Sequence, residues 1–224
     1  MNIKNIQKVL LECYSKDLCY PKVQCDWNEN NRRFGMCAIT SLIINDYFGG
    51  DICKIYVDGI SHYFNLIENN IVDLTKSQFN REIDYKDYKI IDRQKILTDD
   101  TKNRYITLKA RLINKLLRQV DKKVYSCKSC DKLVDKFPDD ATVFLGKDND
   151  IVLVGEAPAN NGWRKSHKLW TDLNGRVLPS GLVLQKLFDI IDRNIFETTF
   201  LESVKCYPLE RKNLKTCSSN CKNI

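Results

Sequence analysis

The chain has 224 residues, 43% hydrophobic and 29% charged, with 36 basic against 29 acidic residues and a net charge of +7. That length allows one large domain or two small ones, and the balance suits a globular protein with a real core. Nine glycines and five prolines are too few for a collagen-like or low-complexity chain, and no apolar run approaches the ~20 residues that cross a membrane.

The first thirteen residues mix Lys and Glu into an apolar pattern, unlike the unbroken apolar core of a secretory signal. The expectation is an intracellular, cytoplasmic chain. There, cysteines point to metal ligation or catalysis rather than to disulfides. The cysteines lie at 13, 19, 25, 37, 53, 127, 130, 206, 217 and 221. The gap between 53 and 127 suggests two domains. The modest positive charge permits a nucleic-acid partner, and a solvated basic surface equally.

In chain order, Ile3, Ile6, Val9, Leu10 and Cys13 repeat at helical spacing and predict a helix over 3–15. A second helix covers 37–48 and is stopped by Gly49 and Gly50. Strands are expected at 52–57, 62–67 and 71–74, the last two joined by a turn at Asn69-Asn70. A long amphipathic helix over 103–120 carries five basic residues and ends at the domain junction, giving domains 1–118 and 119–224. Beyond it, 151–154 is an apolar run of the kind that forms a fully buried parallel strand. Pro179-Ser180-Gly181 opens a helix over 182–191 with Ser180 as N-cap, and 200–205 is a short strand. The fold class is therefore mixed, α+β in the first domain and α/β in the second.

The first domain places Cys37 at a helix N-terminus, His62 on a strand and Asp73 at the end of the next. A helix N-terminus and a nearby imidazolium both favour a thiolate, and a carboxylate orients an imidazole. The same residues also suit a plain structural role as a buried cysteine, a satisfied strand histidine and a turn acid. A tight turn at Asn69-Asn70 would set Asp73 across from Leu66, four residues from His62. At ~3.3 Å per residue that is too far for a hydrogen bond without a bulge or a wider loop.

The order Cys, His, Asp resembles the papain-like superfamily. Gly35-Met36-Cys37, Ser61-His62-Tyr63-Phe64-Asn65 and Asp73-Leu74-Thr75-Lys76-Ser77-Gln78-Phe79 also resemble a small bacterial family of the YunG type, over residues 1–118. The resemblance implies a papain-like α+β domain with Cys37, His62 and Asp73 as a catalytic triad.

The second domain carries Cys127-x-x-Cys130, then Val154-Gly155-Glu156-Ala157-Pro158-Ala159, then Val204-Lys205-Cys206-Tyr207-Pro208 and Cys221. This series resembles the iron–sulfur members of the uracil-DNA glycosylase superfamily, family 4 with some features of family 5. The resemblance implies an incomplete three-layer α/β/α domain that flips a base out of DNA. It implies a [4Fe–4S] cluster on Cys127, Cys130, Cys206 and Cys221, with Cys217 as rival for the last place. Four thiolates suit zinc as well, and a domain without metal stays open.

The resemblance further makes Glu156 the carboxylate that positions water, with Gly155, Ala157 and Pro158 shaping its loop. Trp170, or Trp163, would stack on the flipped base, and Ser180 with Gly181 would hold a phosphate. Two basic groups suit a DNA backbone or a solvated face: Arg164, Lys165, Lys168, Arg176 and Lys205, and Arg211, Lys212, Lys215 and Lys222.

Three departures stand out. Glu202 replaces an Asn that reads the uracil edge, and an ionised Glu only accepts hydrogen bonds. His167 replaces a glycine before the aromatic residue. No histidine follows His167, so the His-Pro-Ser loop of the family is lacking. The expectation is a truncated domain cut to two strands, with a long exposed sheet edge, needing a second polypeptide. The leading function is thus a DNA-repair glycosylase that excises a base. The second is a thiol hydrolase or transferase, and the third a non-catalytic iron–sulfur DNA-binding module.

Overall fold

The computed structural model describes residues 2–135, 142–159, 163–166 and 168–221. The chain divides into two compact units, Met1–Lys115 and Leu116–Ile224. The fold is mixed, with an antiparallel sheet and helices in the first unit and a mixed sheet with helices in the second.

The first unit begins with helix α1 (Ile3–Cys13), whose buried stripe is Ile6, Val9, Leu10 and Cys13. The Asn2 side chain caps it by accepting from the Asn5 amide at 2.9 Å. Helix α2 (Cys37–Phe48) is buried on nearly every side, so its polar groups need partners inside. Thr40 finds the Tyr14 hydroxyl at 2.8 Å, and the Ser41 carbonyl accepts from the Asn65 amide at 3.1 Å. Gly49, at φ +69°, ends the helix and its amide donates to the Asn45 carbonyl.

Strands β1 (Asp51–Val57), β2 (Ile60–Ile67), β3 (Asn70–Val72) and β4 (Lys89–Ile90) form a sheet in the order β3-β2-β1-β4, antiparallel throughout. Asp58 and Gly59, both at positive φ, make the tight turn between β1 and β2. One face of the sheet packs Cys53, Ile55, Val57 and Phe64 against Phe79, Ile83 and Tyr85. The other sets Ile52 against Leu42 and Ile96. Short helix α3 (Arg93–Ile96) follows, then α4 (Asp99–Ser126), of which residues 99–115 belong to this unit. The long helix thus extends beyond the expected 103–120 at both ends.

The turn between β2 and β3 differs from the expected one. Glu68 and Asn69, at φ +50° and +62°, form it, one position earlier than Asn69-Asn70. The pairs are Ile67 with Asn70 and Asn65 with Val72. Extending that register sets Asp73 opposite Phe64, two residues from His62 on the same face. Neither a bulge nor a wider loop is needed.

In the second unit, β5 (Val134–Asp135) pairs antiparallel with β9 (Tyr207–Pro208). Strands β6 (Val143–Phe144), β7 (Asp148–Gly155) and β8 (Thr198–Glu202) form a three-stranded sheet in the order β6-β8-β7. The expected two strands lacked β6, which pairs antiparallel with β8. β7 and β8 run parallel, as the apolar run suggested, but β7 is an edge strand rather than a buried one. Val152 and Val154 are 51% and 61% exposed, because among the described residues nothing covers that face.

The helices of this unit are α5 (Trp163–Ser166), α6 (Pro179–Asp189) and α7 (Leu214–Cys221). α6 starts earlier than expected. Leu178 is its N-cap and Pro179 its first helical residue, a position that a fixed φ and a missing N–H suit. Ser180 is therefore an exposed first-turn residue and not the cap.

Candidate functional site

Cys37 begins α2, and the backbone before it is tightly held. Gly35 sits at φ +71°, where a side chain is strained, and a Cβ there would stand 2.5 Å from Cys19 Sγ and 2.9 Å from the Tyr20 nitrogen. The Tyr20 amide also donates to the Gly35 carbonyl at 3.1 Å. The glycine lets the chain enter α2 with Cys37 on its first turn.

His62 is fully buried on β2. Its Nε2 lies 2.6 Å from Asp73 Oδ2. Asp73 is itself held from three further directions: its Oδ1 accepts from the Thr75 amide at 2.9 Å and the Thr75 hydroxyl at 3.1 Å, and its Oδ2 accepts from Tyr85 at 2.8 Å. Nε2 is taken by Asp73, and Cys37 lies near enough to His62 to favour charge on the ring. The Phe79 ring packs edge-on against the imidazole at 5.0 Å. The structure therefore brings Cys37, His62 and Asp73 together.

A fourth residue joins them. Gln78 Nε2 stands 3.1 Å from His62 Nδ1, while Gln78 Oε1 accepts from the Gly35 amide at 3.2 Å. A backbone N–H can only donate, so the Gln78 amide is fixed with its NH2 toward the histidine. The sequence held Gln78 inside the quoted Asp73–Phe79 stretch but offered no pattern that singled it out.

Burial works against charge on His62, but the hydrogen bonds to Asp73 and Cys37 and their charges outweigh it, raising the imidazole pKa to about 9. Burial likewise opposes charge on Asp73, and the His62 hydrogen bond and charge override it, holding the carboxyl below its ordinary range. A histidine raised above its unfolded value of about 6.5 stabilises the fold fully below that pH, and the contribution fades as pH rises through about 9. The expected loss is on the order of 3 kcal/mol. Urea melts at pH 6.5 and pH 9.5 would measure it. His62→Gln should flatten the difference, and an equally large fall in that variant would refute the assignment.

A cavity of about 320 Å³ opens beside Cys37 and Gln78. Tyr20, Phe34, Tyr63 and Phe79 supply aromatic wall, and Lys95 and Arg104 supply its charged side chains.

In the second unit the predicted residues fall into three places. Cys127, Cys130, Cys206 and Cys221, with Cys217, line one void of about 10 Å³, a volume that suits a single water. Cys217 is fully buried. Cys217 and Cys221 lie one turn apart on α7, so both face the void. Among the described residues no group of three or more His, Cys, Asp or Glu stands where it could hold a metal ion.

Glu156 lies just past the end of β7, exposed, and shares a cavity of about 420 Å³ with Arg211, Lys212 and Lys215. Lys212 is also paired with Glu210 at 2.6 Å. The Glu156 carbonyl accepts from the Val204 amide at 3.0 Å, and that of Gly155 from the Ser203 amide at 2.9 Å. A Cβ at Gly155 would come within 2.8 Å of the Phe200 ring, so the position needs a glycine. Ala157 packs with the cysteine cluster and Pro158 is buried.

Glu202 is bound within the unit. Its Oε1 accepts from Trp163 at 2.6 Å and its Oε2 from Arg164 at 3.0 Å, all three being buried. Burial pushes the Glu202 carboxyl up and the Arg164 charge only partly offsets it. Both oxygens are spent on this buried pair, so Glu202 ties α5 to the end of β8. Trp163 is likewise a core residue.

Trp170 packs edge-on against Phe200 at 4.8 Å. It sits at φ +56°, rare for a bulky residue, and its Nε1 is buried with no partner among the described residues. Ser180 lies one position before Gly181, which packs on the Trp170 side chain. His167 and Lys222 lie outside the described residues.

Comparison with known proteins bears on the first unit. The chain is similar to the "Uncharacterized protein YunG" of Bacillus subtilis (strain 168), 40% identical over 60 residues, which cover 27% of this chain and 52% of that one. It thus spans about half the length of this relative. No solved structure matches. The model of the YunG protein family matches residues 2–117, just over half of the chain and the part that holds Cys37, His62, Asp73 and Gln78. On that match, the chain belongs to the YunG family.

Proposed function

We propose that the first unit is a cysteine-dependent acyl hydrolase or transferase. One observation carries this reading: a thiol on the first turn of a buried helix lies in the same site as a fully buried histidine whose Nε2 is held by a buried aspartate side chain at 2.6 Å. This is the nucleophile, base and orienter of covalent acyl transfer.

In the reaction, the Cys37 thiolate adds to a carbonyl carbon, and His62 Nδ1 delivers its proton to the departing amine or alcohol. The product is a thioester on Cys37. Water, or another acceptor, gives a proton back to His62 as its oxygen attacks the thioester, the carbon–sulfur bond breaks, and the starting pair of Cys37 thiolate and protonated His62 is regenerated. Asp73 keeps the ring oriented and offsets its charge. Gln78, anchored by the Gly35 amide, donates to Nδ1 only while that nitrogen is unprotonated; when Nδ1 holds the proton, the Gln78 N–H turns to the carbonyl oxygen as it gains charge.

The test is an intact-mass measurement after mixing with p-nitrophenyl acetate. One acetyl group per chain, mapped to Cys37 and lost in Cys37→Ser, is expected. Acetylation spread over lysines, with Cys37 unmodified, would defeat the reading.

A second reading belongs to the second unit, as a glycosylase-like, iron–sulfur DNA-binding module with a truncated three-layer α/β/α fold, completed by a second polypeptide. Five thiols from segments some eighty residues apart converge on one void without an acid or imidazole among its lining, a donor set whose softness suits an iron–sulfur cluster and also zinc. Cys127, Cys130 and Cys206, with Cys221 or Cys217 as fourth, would have to rearrange around it, since among the described residues no three stand where they could hold a metal ion. Glu156 beside Arg211, Lys212 and Lys215 supports a DNA-facing surface. Anaerobic purification should give about four irons per chain with broad visible absorption. Protein without iron would remove the support for this reading.

A further inference from the structure

We propose that the cavity beside Cys37 takes a small acyl substrate with an apolar body and a free carboxylate, and that Lys95 receives the carboxylate. The inference rests on the thiol reading above and names its substrate class.

The lining of the cavity is asymmetric in charge. Lys95 and Arg104 both line it, and no Asp or Glu does. The two cations differ in what they can still do. Arg104 is buried and already spent: its Nε donates to Asp100 at 3.0 Å, one terminal nitrogen to the Leu18 carbonyl at 3.2 Å and the other to Asp100 at 2.9 Å. Asp100 therefore balances its charge. Lys95 is exposed at the rim and has no ion-pair partner among the described residues. It is the cation left for a ligand.

The remaining wall is apolar and aromatic, from Tyr20, Phe34, Tyr63 and Phe79, with the Thr98 and Thr101 hydroxyls as polar points. The volume, about 320 Å³, lies at the low end of small-molecule pockets. It suits a compound the size of a single acylated amino acid and is too small to enclose a folded protein. A neutral or cationic substrate would leave Lys95 unpaired or repelled, whereas a carboxylate gains a charge-assisted hydrogen bond.

The probe is a matched pair of alkylating agents, N-iodoacetyl-phenylalanine and its neutral amide, which differ only in the carboxylate. Rates of modification at Cys37 are followed by peptide mass mapping at low salt, in the unaltered chain, Lys95→Gln and Lys95→Glu. The ratio of acid rate to amide rate is expected to fall about threefold in Lys95→Gln and about tenfold in Lys95→Glu, the scale of one exposed charge pair and its reversal. High salt should shrink the effect. The imidazolium of His62 favours the acid in all three chains, so it cancels in the comparison. A Cys37 that reacts fast with a ratio indifferent to Lys95 would overturn the proposal alone. A Cys37 that reacts with neither agent faster than glutathione would overturn the thiol reading, and the proposal with it.

Discussion

His62→Ala is expected to slow alkylation of Cys37 by iodoacetamide about a hundredfold at pH 6.5. A positioned base contributes roughly 10²–10⁴ in such sites. Only the thiolate of a cysteine is nucleophilic, and a neighbouring positive charge speeds its reaction. The raised His62 pKa, about 9, means the ring is protonated at pH 6.5 and supplies that charge. Cys25, exposed and not among the residues that line the cavity, serves as the internal control, and its rate should stay as it was. Far-UV circular dichroism checks that the variant folds. Equal Cys37 rates in both chains would mean that the histidine is a structural partner and not a catalytic one.

Asp73→Ala should have the largest effect on stability. Asp73 accepts hydrogen bonds from His62, Thr75 and Tyr85 and is 2% exposed. Removing the acid strands a buried cation and leaves a half-buried phenol without its acceptor. Breaking a buried pair from one side costs about 3–5 kcal/mol, because the survivor stays desolvated. For a unit of this size that lowers the melting temperature by about 10 °C or more. Asp73→Asn keeps the volume and some of the acceptors, so it should fall between the two. A urea midpoint shift below about 1 kcal/mol for Asp73→Ala would show that the site is wet, with water replacing the carboxylate.

Both expectations depend on a turn. With the hairpin centred on Asn69-Asn70, Asp73 faces Leu66 and the pair with His62 cannot form. Centred on Glu68-Asn69 it can. Two left-handed residues at the loop match the right-handed twist of the flanking strands, and either Asn or Glu next to Asn can supply them. The sequence allowed both registers. The packing of Phe64, two residues from His62, against Tyr85 at 5.0 Å belongs to the register that forms.

Other parts of the site were legible locally. The helix over 37–48 follows from a long apolar run closed by two glycines, and it lies at those bounds. The order of Cys37, His62 and Asp73 could be read because His62 is the single histidine of the first half and its chemistry with a cysteine is distinctive. Gln78 could not be read, since a glutamine on a short turn carries no periodic signal. Its role comes from the Gly35 amide, 43 positions earlier, that fixes its orientation.

The second unit divides the same way. The parallel pairing of β7 follows from its apolar run, but its exposure does not, because that depends on whether another layer covers the strand. Glu202 invited a role at the site by its place in a motif, yet it is bound to Trp163 and Arg164 from a segment 38 to 39 residues away. By itself the sequence determined the longer helices and strands, where Cys37 would sit on its helix, and that cysteines from two distant stretches share one unit. These follow from local periodicity, turn chemistry and residue type. Only the tertiary structure decided which acid meets His62, which cation is left free at the cavity and which carboxylate is spent on a buried pair. Each of those depends on through-space distances of a few ångströms, and register and long-range packing set such distances where local propensity does not.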